Sequence, residues 1–222
     1  MQNSKIIVIG GKGTSINIAE SIKDASDNYN KPIELLGFCI DDPSLGDSIN
    51  GIPILCKLSE LNNQFGKYSD VKYIFTLYKP SRMKERVELL YAMNIPTEKY
   101  VTFIHPTSYI APSSSIGIGN VILAHSCINS NVRIGNFNIF NQSVIIEHDT
   151  QIKKCNFFSA GAIVGSKVEI GDGNFFGIHS AIRENVNIND YNILGMGGVL
   201  LNSIFDGKTM IGVPAKELIS QK

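Results

Sequence analysis

The residues from 110 to 200 decide the fold, because they repeat with a period of six. Divided into hexads, they read IAPSSS IGIGNV ILAHSC INSNVR IGNFNI FNQSVI IEHDTQ IKKCNF FSAGAI VGSKVE IGDGNF FGIHSA IRENVN INDYNI LGMGGV L. The first position is always Ile, Leu, Val or Phe, and no insertion interrupts the sixteen positions from Ile110 to Leu200. A helix would show period 3.6 and an ordinary strand period 2. A period of six predicts a left-handed parallel β-helix of hexapeptide repeats.

The period also predicts the shape and interior of this β-helix. Three hexads form one triangular coil, so the run gives a little over five coils stacked into a prism, with the large side chains in columns along its axis. The fifth position is mostly small, β-branched or Asn, as Ser114, Asn120 and Val132 illustrate, which predicts a second, tighter inward site. We expect Gly, Asn or Asp to adopt the unusual backbone angles of the corners.

Residues 1–104 follow a different rule, since short apolar runs alternate with helix-like stretches. Strands are predicted at 5–9, 33–40, 71–77 and 100–104, and helices at 14–27 and 80–93. This alternation predicts an α/β domain with a small, Rossmann-like parallel sheet covered by helices. Residues 105–222 are predicted to form the β-helix domain with a C-terminal cap.

Composition and charge exclude several classes of function. Twenty Lys+Arg balance twenty Asp+Glu, so no basic field is available to hold nucleic acid or an anionic membrane. No apolar run approaches the roughly 18 residues of a transmembrane helix, and the N-terminal apolar run is too short for a signal peptide, so a cytoplasmic protein is expected. The four cysteines form no CxxC pair, which argues against a zinc site or a redox dithiol and favours buried or idle thiols.

Four histidines are candidates for chemistry. His105 precedes Pro106 just before the repeat, where a role at the junction of the two halves is the simpler interpretation. His125 and His179 occupy the same place in their hexads, three coils apart. They should therefore share one region of the prism surface but lie too far apart to cooperate within one chain.

His148 differs from the other histidines because Glu147 and Asp149 flank it, and its hexad position predicts an outward side chain near a corner. A carboxylate beside an imidazole fixes its tautomer and raises its basicity, as a general base near neutral pH requires. A solvated acidic turn is the alternative interpretation. A zinc prism of the carbonic-anhydrase kind needs three histidines around the metal, and a third ligand is missing here, so no metal is expected.

Three features together resemble the bacterial hexapeptide-repeat sugar acetyltransferases. They are the βαβ half ahead of the prism, the segment from Asn141 to His148-Asp149, and the closing IGVPAK at 211–216. The family includes nucleotide-amino-sugar N-acetyltransferases of the bacillosamine and perosamine type and sialic-acid O-acetyltransferases. The resemblance covers essentially the whole chain.

The resemblance implies direct acetyl transfer from acetyl-CoA to the amino group of a nucleotide-linked 4-amino-4,6-dideoxysugar, for surface-glycan biosynthesis such as that of lipopolysaccharide. His148 would be the general base, Asp149 the carboxylate that orients it, and Asn141 a nearby polar contact. Acetyl-CoA would lie between two prisms of a homotrimer, where backbone amides stabilise the thioester oxygen. The residues expected to bind it are Ala160, Gly161, Gly177, Ile178, Gly212, Pro214 and Lys216.

This sequence departs from the family pattern at three positions. Many members carry a second histidine nine residues after the first, where Phe157 stands here. Lys153 and Ser166 occupy places that are often glycine. These changes bear on how the thioester is held, whereas the proposed base is intact.

A glycine-rich loop follows the first predicted strand, and free amides at a helix N-terminus favour anions. Ile16 stands where the dinucleotide fingerprint has its third glycine, so a redox cofactor is not expected. The resemblance implies that this half holds the nucleotide of the sugar substrate, through Gly11, Lys12, Gly13, Asp41, Asp42 and Arg82. An ordinary Asp-Asp-Pro turn and an Arg at the start of a helix are the structural alternative.

Two other functions stay open at this stage. O-acetylation of a sialic acid or another sugar hydroxyl would require a stronger base, because a hydroxyl is a poorer nucleophile than a free amine. A non-catalytic scaffold would form a stable trimer without activity on any acceptor. The nucleotide base, the sugar stereochemistry and the acyl length depend on pocket shape.

Overall fold

The N-terminal half is built on a five-stranded sheet with the order β3-β4-β2-β1-β5. Its elements are β1 (Ser4–Ile9), α1 (Thr14–Tyr29), β2 (Ile33–Cys39), β3 (Ser48–Ile49), β4 (Ile52–Cys56), α2 (Leu61–Phe65), β5 (Val71–Phe75) and α3 (Met83–Ala92). In this computed structural model, which describes residues 4–218, β4, β2, β1 and β5 are parallel and only β3 pairs in the antiparallel sense. The small, mostly parallel sheet with helices is therefore confirmed.

Helix α1 forms because its apolar residues recur every three or four positions. Ile18, Ala19, Ile22 and Ala25 all lie on one face and are fully buried. Asn30 ends the helix in the left-handed conformation, and its N–H donates to the carbonyl oxygen of Ala25. The same core cluster contains β-sheet residues and outward-facing residues of the prism, so α1 helps to join the two halves.

Three details of the N-terminal half differ from the prediction. The hairpin β3–β4 and the short helix α2 are additional elements that the sequence pattern does not predict. The single strand predicted at 100–104 is divided, since Tyr100 bridges Tyr73 of the N-terminal sheet while Phe103 and Ile104 pair with the prism. The first prism strand thus lies on the N-terminal side of the predicted domain boundary, and the division into two domains stays a prediction.

Every predicted hexad forms a two-residue strand that ends on the expected apolar residue. Three sheets result, which we call sheets I, II and III. Sheet I holds β6 (Phe103–Ile104), β9 (Val121–Ile122), β12 (Ile139–Phe140), β15 (Phe157–Phe158), β18 (Phe175–Phe176), β21 (Ile193–Leu194), β23 (Thr209–Ile211) and β24 (Lys216–Glu217). Sheet II holds β7 (Tyr109–Ile110), β10 (Cys127–Ile128), β13 (Ile145–Ile146), β16 (Ile163–Val164), β19 (Ala181–Ile182) and β22 (Val199–Leu200). Sheet III holds β8 (Ser115–Ile116), β11 (Arg133–Ile134), β14 (Gln151–Ile152), β17 (Glu169–Ile170) and β20 (Asn187–Ile188).

The interior of the prism confirms both predicted inward sites. Phe140, Phe158 and Phe176 stack along the axis with ring centroids 4.7 and 4.6 Å apart. Full burial of each such ring stabilises the fold by about 1.5–3 kcal/mol. At the fifth position, Asn138 and Asn156 belong to a buried ladder in which each amide donates to the Asn one coil earlier, at 3.0 Å.

The corners only partly follow the prediction that Gly, Asn or Asp would supply the unusual backbone angles. The fourth hexad position is left-handed from Gly119 to Gly197, with φ between 53° and 71°. Seven of these fourteen positions carry other residues, namely His125, Phe137, Ser143, Cys155, Lys167, His179 and Tyr191. A side chain there costs about 1–2 kcal/mol, so the coil geometry imposes this conformation against local preference.

The outer surfaces of the three sheets differ in chemistry. Outward residues of sheet I, such as Ile139 and Phe157, are buried in one cluster with the N-terminal half. The outward residues of sheet III are exposed and polar: Ser115, Arg133, Gln151, Glu169 and Asn187. Sheet II presents a mainly apolar and incompletely buried column: Tyr109, Cys127, Ile145, Ile163, Ala181 and Val199.

Candidate active site

His148 and Asp149 lie side by side on the corner between sheets II and III. The Nδ1 atom of His148 lies 2.8 Å from Oδ2 of Asp149. Because a carboxylate can only accept, Nδ1 of the neutral ring carries the proton and Nε2 keeps its lone pair. Both side chains are about half exposed, at 50% and 42%. An outward-facing imidazole oriented by a carboxylate is what the sequence predicted for this segment.

A third residue, Asn131, completes this arrangement and was not found from the sequence. Its Nδ2 donates to Oδ1 of Asp149 at 3.0 Å, while its backbone N–H donates to Oγ of Ser113 at 3.0 Å. Ser113, Asn131 and Asp149 are spaced by eighteen residues, the length of one coil. That spacing is the signal in the sequence that identifies Asn131 as a neighbour of Asp149.

The two hydrogen bonds to Asp149 affect its ionisation. The bond with His148, followed by the bond with Asn131, holds the pKa of the Asp149 carboxyl below its ordinary value. The carboxylate is therefore ionised near neutral pH, and it can stabilise a positive charge that forms on the ring.

The predicted acetyl-CoA contacts lie on a different corner, between sheets I and II. Ala160 and Gly161 occupy one coil there, and Gly177 and Ile178 follow in the next. Only two of these four backbone amides lack a hydrogen-bond acceptor in the described part of the chain. The N–H of Gly161 donates to Gln142 at 3.0 Å and that of Gly177 to Leu194 at 2.7 Å, each within the prism.

The N–H groups of Ala160 and Ile178 donate to no acceptor within residues 4–218. Each occupies the third hexad position, and Ile178 is 46% exposed. Gly161, beside them, has no side chain that could block access to these amides. Its left-handed φ of 69° favours glycine, and an added Cβ would lie 2.8 Å from the His179 ring. These two amides are suited to hold the oxygen of a ligand carbonyl.

The predicted C-terminal contacts lie beside the same sheet II. The backbone of Gly212 accepts a hydrogen bond from Val199 at 3.0 Å, and Ala215 donates one to Val199 at 2.7 Å. Gly212 adopts a φ of 90°, and Pro214 and Lys216 are exposed. The loop of residues 212–216 thus lies near the end of the prism, beside the corner between sheets I and II that carries Ala160 and Ile178.

Asn141 lies on the corner between sheets I and II, at the opposite end of a sheet II strand from His148. It is 9% exposed, and its Oδ1 atom is buried without a hydrogen-bond partner in the described part of the chain. No contact joins it to His148 or Asp149 within that part. The structure therefore brings His148 and Asp149 together but leaves Asn141 apart from them within one chain.

The three departures from the family pattern fall in different environments. Phe157 is 6% exposed and stacks on Phe175 at 5.1 Å, in the contact between sheet I and the N-terminal half. Lys153 lies on the corner between sheets III and I, away from the predicted acetyl-CoA contacts. Ser166 lies on the corner between sheets II and III, one coil beyond His148.

The other histidines occupy the places that the sequence indicated. His105 is buried at the junction, where its Nε2 lies 2.9 Å from Oδ2 of Asp24 on α1 and its Nδ1 lies 2.9 Å from Oγ1 of Thr107. His125 and His179 share the corner between sheets I and II, three coils apart.

In the N-terminal half, the structure brings Lys12 and Asp42 together. The glycine loop follows β1, and the ammonium group of Lys12 forms a salt bridge with the Asp42 carboxylate. That contact, with hydrogen bonds from Ser44, lowers the pKa of Asp42 to about 2. The loop is tight at its start, because a Cβ on Gly10 would lie 2.3 Å from Oγ1 of Thr76.

The remaining predicted substrate contacts have structural partners of their own. Asp41 accepts a hydrogen bond from the backbone of Leu58 at 2.7 Å. Asp42 also accepts one from the backbone of Ser44, as the cap of a short turn. Arg82 pairs with Glu85 at the start of α3, and no contact joins it to the glycine loop within residues 4–218. Their roles in substrate binding stay predictions.

Within 4–218, no group of three or more His, Cys, Asp or Glu side chains is placed to hold a metal ion. None of the described helices has the length and hydropathy needed to cross a bilayer.

The fold of the chain is similar to that of solved acetyltransferase structures. The chain is similar to the acetyltransferase domain of PglB from Neisseria gonorrhoeae, solved with acetyl coenzyme A, with a TM-score of 0.80, 25% identity and coverage of 97% of this chain and 100% of that chain. It is also similar to a mutant of perosamine N-acetyltransferase from Caulobacter crescentus, solved with CoA and GDP-perosamine, with a TM-score of 0.81, 22% identity and 97% of each chain covered. A third similar structure is WeeI from Acinetobacter baumannii, with a TM-score of 0.78, 23% identity and coverage of 96% of this chain and 99% of that chain.

No family model matches the sequence, and no curated protein matches it. The resemblance to hexapeptide-repeat sugar acetyltransferases is nevertheless confirmed at the level of the fold, over nearly the whole chain.

Proposed function

We propose that this protein transfers an acetyl group from acetyl-CoA to the amino group of a nucleotide-linked 4-amino-4,6-dideoxysugar. The observation that carries the proposal is the exposed His148–Asp149 pair, 2.8 Å apart, on a prism with a free amide pair at another corner. The fold supports it, since structures similar over nearly the full chain bind acetyl-CoA or CoA with GDP-perosamine.

In this mechanism Nε2 of His148 accepts a proton from the sugar amine as the amine attacks the thioester carbonyl. Asp149 stabilises the imidazolium that forms. The amides of Ala160 and Ile178 hold the oxyanion of the tetrahedral intermediate. The intermediate collapses with release of CoA, which takes up a proton and leaves as the thiol. No covalent enzyme intermediate is needed.

The two corners that hold these groups flank sheet II, so a complete site requires two chains. Three prisms packed by sheet II around a three-fold axis place the His148 corner of one chain beside the Ala160 corner of the next. Twelve of the eighteen residues of a coil separate His148 from Ala160, which corresponds to about 3 Å along the axis when strands are spaced 4.8 Å apart. The neighbour's Asn141 then lies close to the same level. We therefore propose a homotrimer with sites between subunits.

The exposed apolar column on sheet II supports this assembly. Ile163 is 44% exposed and Tyr109 is 55% exposed there. The assembly is tested by light scattering coupled to size-exclusion chromatography. Ile163→Arg should yield monomers, whereas Glu169→Arg on sheet III should leave the trimer unchanged. A monomeric wild type would contradict the proposed assembly.

The nucleotide of the substrate is proposed to bind the carboxyl edge of the N-terminal sheet. Lys12 offers a cation and Asp42 an acceptor there, beside the glycine loop and the start of α1. A pyrophosphate is suited to the cation and to the helix N-terminus. Gly11, Gly13, Asp41 and Arg82 complete the proposed set of contacts.

The activity is tested by thiol release from acetyl-CoA in the presence of UDP-, dTDP- and GDP-linked 4-amino sugars. The matched control for each acceptor is the same nucleotide with a 4-hydroxyl sugar. We expect release only with an amino acceptor, and mass spectrometry should place the acetyl group on nitrogen. Release with the hydroxyl acceptors would favour O-acetylation, and no acceptor-dependent release on either panel would contradict the proposal.

A further inference from the structure

Two cysteines that are distant in sequence meet in the N-terminal sheet. Cys39 ends β2 and Cys56 ends β4, and the two residues are direct partners in the pairing of these strands. Their Sγ atoms lie 3.4 Å apart. The sequence has no CxxC motif, and all four cysteines are free thiols, but strand pairing brings together two of them that are seventeen positions apart.

The geometry is close to that of a disulfide. Adjacent strands lie about 4.8 Å apart, within the roughly 4.4–6.8 Å that separate the Cα atoms of a disulfide. Bond formation requires the sulfurs to approach from 3.4 Å to about 2.05 Å. The register of β2 and β4 shifts between Phe38 and Cys39, so the backbone is already irregular at this point.

One of the two thiols borders an open groove. Cys56 is 7% exposed and lines the groove together with Ile40, Asp41 and Asp42, whereas Cys39 is fully buried behind it. The hydrogen bond between the thiols lowers the pKa of Cys56, and the same bond together with burial raises the pKa of Cys39. Cys56 is thus the thiol that an oxidant in the groove can reach. Cys39 is placed to attack the oxidised sulfur of Cys56.

We propose that Cys39 and Cys56 form a reversible disulfide when the protein encounters a hydroperoxide, and that this bond weakens ligand binding at the adjoining loops. The Cys56 thiolate attacks hydrogen peroxide, giving a sulfenic acid and hydroxide. The Cys39 sulfur then attacks the sulfenic sulfur, so the S–S bond forms and water leaves. Overall, two thiols are oxidised, and one peroxide is reduced to two waters.

The effect on binding follows from the hydrogen bonds beside the pair. The carbonyl oxygen of Cys39 accepts from the N–H of Gly10 at 2.9 Å, at the start of the glycine loop. The carbonyl oxygen of Cys56 accepts from Ile40 at 3.1 Å, directly before Asp41. Drawing the two strand ends together therefore displaces both loops that the proposed function assigns to the nucleotide, and this second part rests on that function.

The bond itself is tested without any activity measurement. The full chain is treated with hydrogen peroxide, its free thiols are alkylated, and its peptides are mapped by mass spectrometry. We expect two of the four thiols to be lost and a peptide linking Cys39 to Cys56, reversed by dithiothreitol. Cys127→Ser should retain the link, and Cys56→Ser should abolish it. Four free thiols, or oxygen added to a cysteine without a linked peptide, would overturn the proposal.

The effect on binding is tested on the same oxidised sample. We expect KM for the nucleotide sugar to rise by about tenfold, equivalent to about 1.4 kcal/mol, with KM for acetyl-CoA unchanged. Dithiothreitol should restore the original value, and the Cys56→Ser variant should not respond to peroxide. A disulfide that forms without this change in KM would refute the regulatory part alone. Absence of acetyl transfer in the reduced protein would instead count against the proposed function.

Discussion

The two halves of the chain position their polar groups by different means. In the prism, one period of eighteen residues stacks Ser113, Asn131 and Asp149 in a column, so each group is held by its neighbours in adjacent coils. In the N-terminal half, Lys12 and Asp42 meet across thirty residues at the ends of two strands. In the proposed function, the stacked coils of the prism hold the groups assigned to chemistry, and the N-terminal loops hold those assigned to nucleotide binding.

This difference predicts that substitutions in the two halves change different kinetic parameters. Variants of the prism corners should lower kcat, because their groups act on the reacting atoms. Variants of the N-terminal loops should raise KM for the nucleotide sugar, because the proposed function assigns their groups to a part of the substrate remote from the reacting atoms.

The largest effect is expected for His148→Ala. Loss of the general base should lower kcat by about 10²–10⁴-fold, with KM for acetyl-CoA little changed. The measurement is steady-state thiol release with the best acceptor of the nucleotide panel. His125→Asn is the matched control, since His125 is an exposed histidine on the other corner and Asn tolerates its left-handed backbone. Equal loss in both variants, or an unaffected His148 variant, would contradict a specific role for His148.

The next effect is expected for Ala160→Pro, which removes one of the two free amides. Loss of an oxyanion donor should lower kcat by about 10²–10³-fold. Pro112 already occupies the same third hexad position, so the coil accepts proline there. Ala124→Pro, two coils earlier on the same corner, is the matched control and should retain activity. If Ala160→Pro behaves like Ala124→Pro, the thioester oxygen is held elsewhere.

A smaller effect is expected for Asn131→Gly. Glycine keeps the left-handed backbone of that corner but removes the hydrogen bond to Asp149. Because that bond lowers the pKa of Asp149, its loss should raise the pKa, and protonation of the carboxylate should begin at higher pH. We expect kcat to fall by about three- to tenfold. An NMR titration of the Asp149 carboxyl carbon measures the shift.

Asn185→Gly is the control for this variant, because Asn185 occupies the same position two coils beyond Asp149 with a similar φ of 59°. Its kcat and the titration of Asp149 should match those of the wild type. A loss of kcat without a change in the Asp149 titration would assign Asn131 a purely structural role.

The prism could be predicted closely from the sequence because a single period determines every neighbour. Knowing that residues eighteen apart are stacked is enough to place His148 on a corner, to bury Asn138 and to set Asn131 against Asp149. The same register assigns Ala160 to a different corner from His148. The separation of the two groups that the proposed site combines therefore follows from the repeat itself, once the corners are identified.

The corner conformations and the N-terminal contacts could not be predicted in this way. The coil makes the fourth hexad position left-handed whatever residue stands there, and the side chains of Phe137 and Cys155 at that position pack in a core cluster with the N-terminal half, a contact between distant segments. No period links Lys12 to Asp42 or Cys39 to Cys56, since each pair depends on which strands are adjacent in the sheet. Phe157 likewise stands where many family members carry a second histidine, and only the structure shows that it is buried against the N-terminal half.

The smallest effect is expected for Lys12→Met. This variant should change substrate binding, measured as KM, without changing the chemical step, measured as kcat. Removing the ammonium group should raise KM for the nucleotide sugar by about three- to tenfold with kcat nearly unchanged, because the lost contact is to a remote part of the substrate. The pKa of Asp42 should rise from about 2, since the salt bridge is the main cause of its depression.

The direction of the accompanying stability change also follows from this salt bridge. A depressed carboxyl pKa stabilises the fold above the unfolded value of about 3.9, and that contribution is lost as pH falls towards 2. On acidification from about pH 3.9 to about pH 2, the free energy of unfolding of the Lys12→Met variant should therefore fall less than that of the wild type. Glu20→Gln, which changes an exposed carboxylate bonded to Asn50 on the neighbouring hairpin, is the control for loss of a surface polar contact. A Lys12 variant with lower kcat and unchanged KM would contradict the division between the two halves.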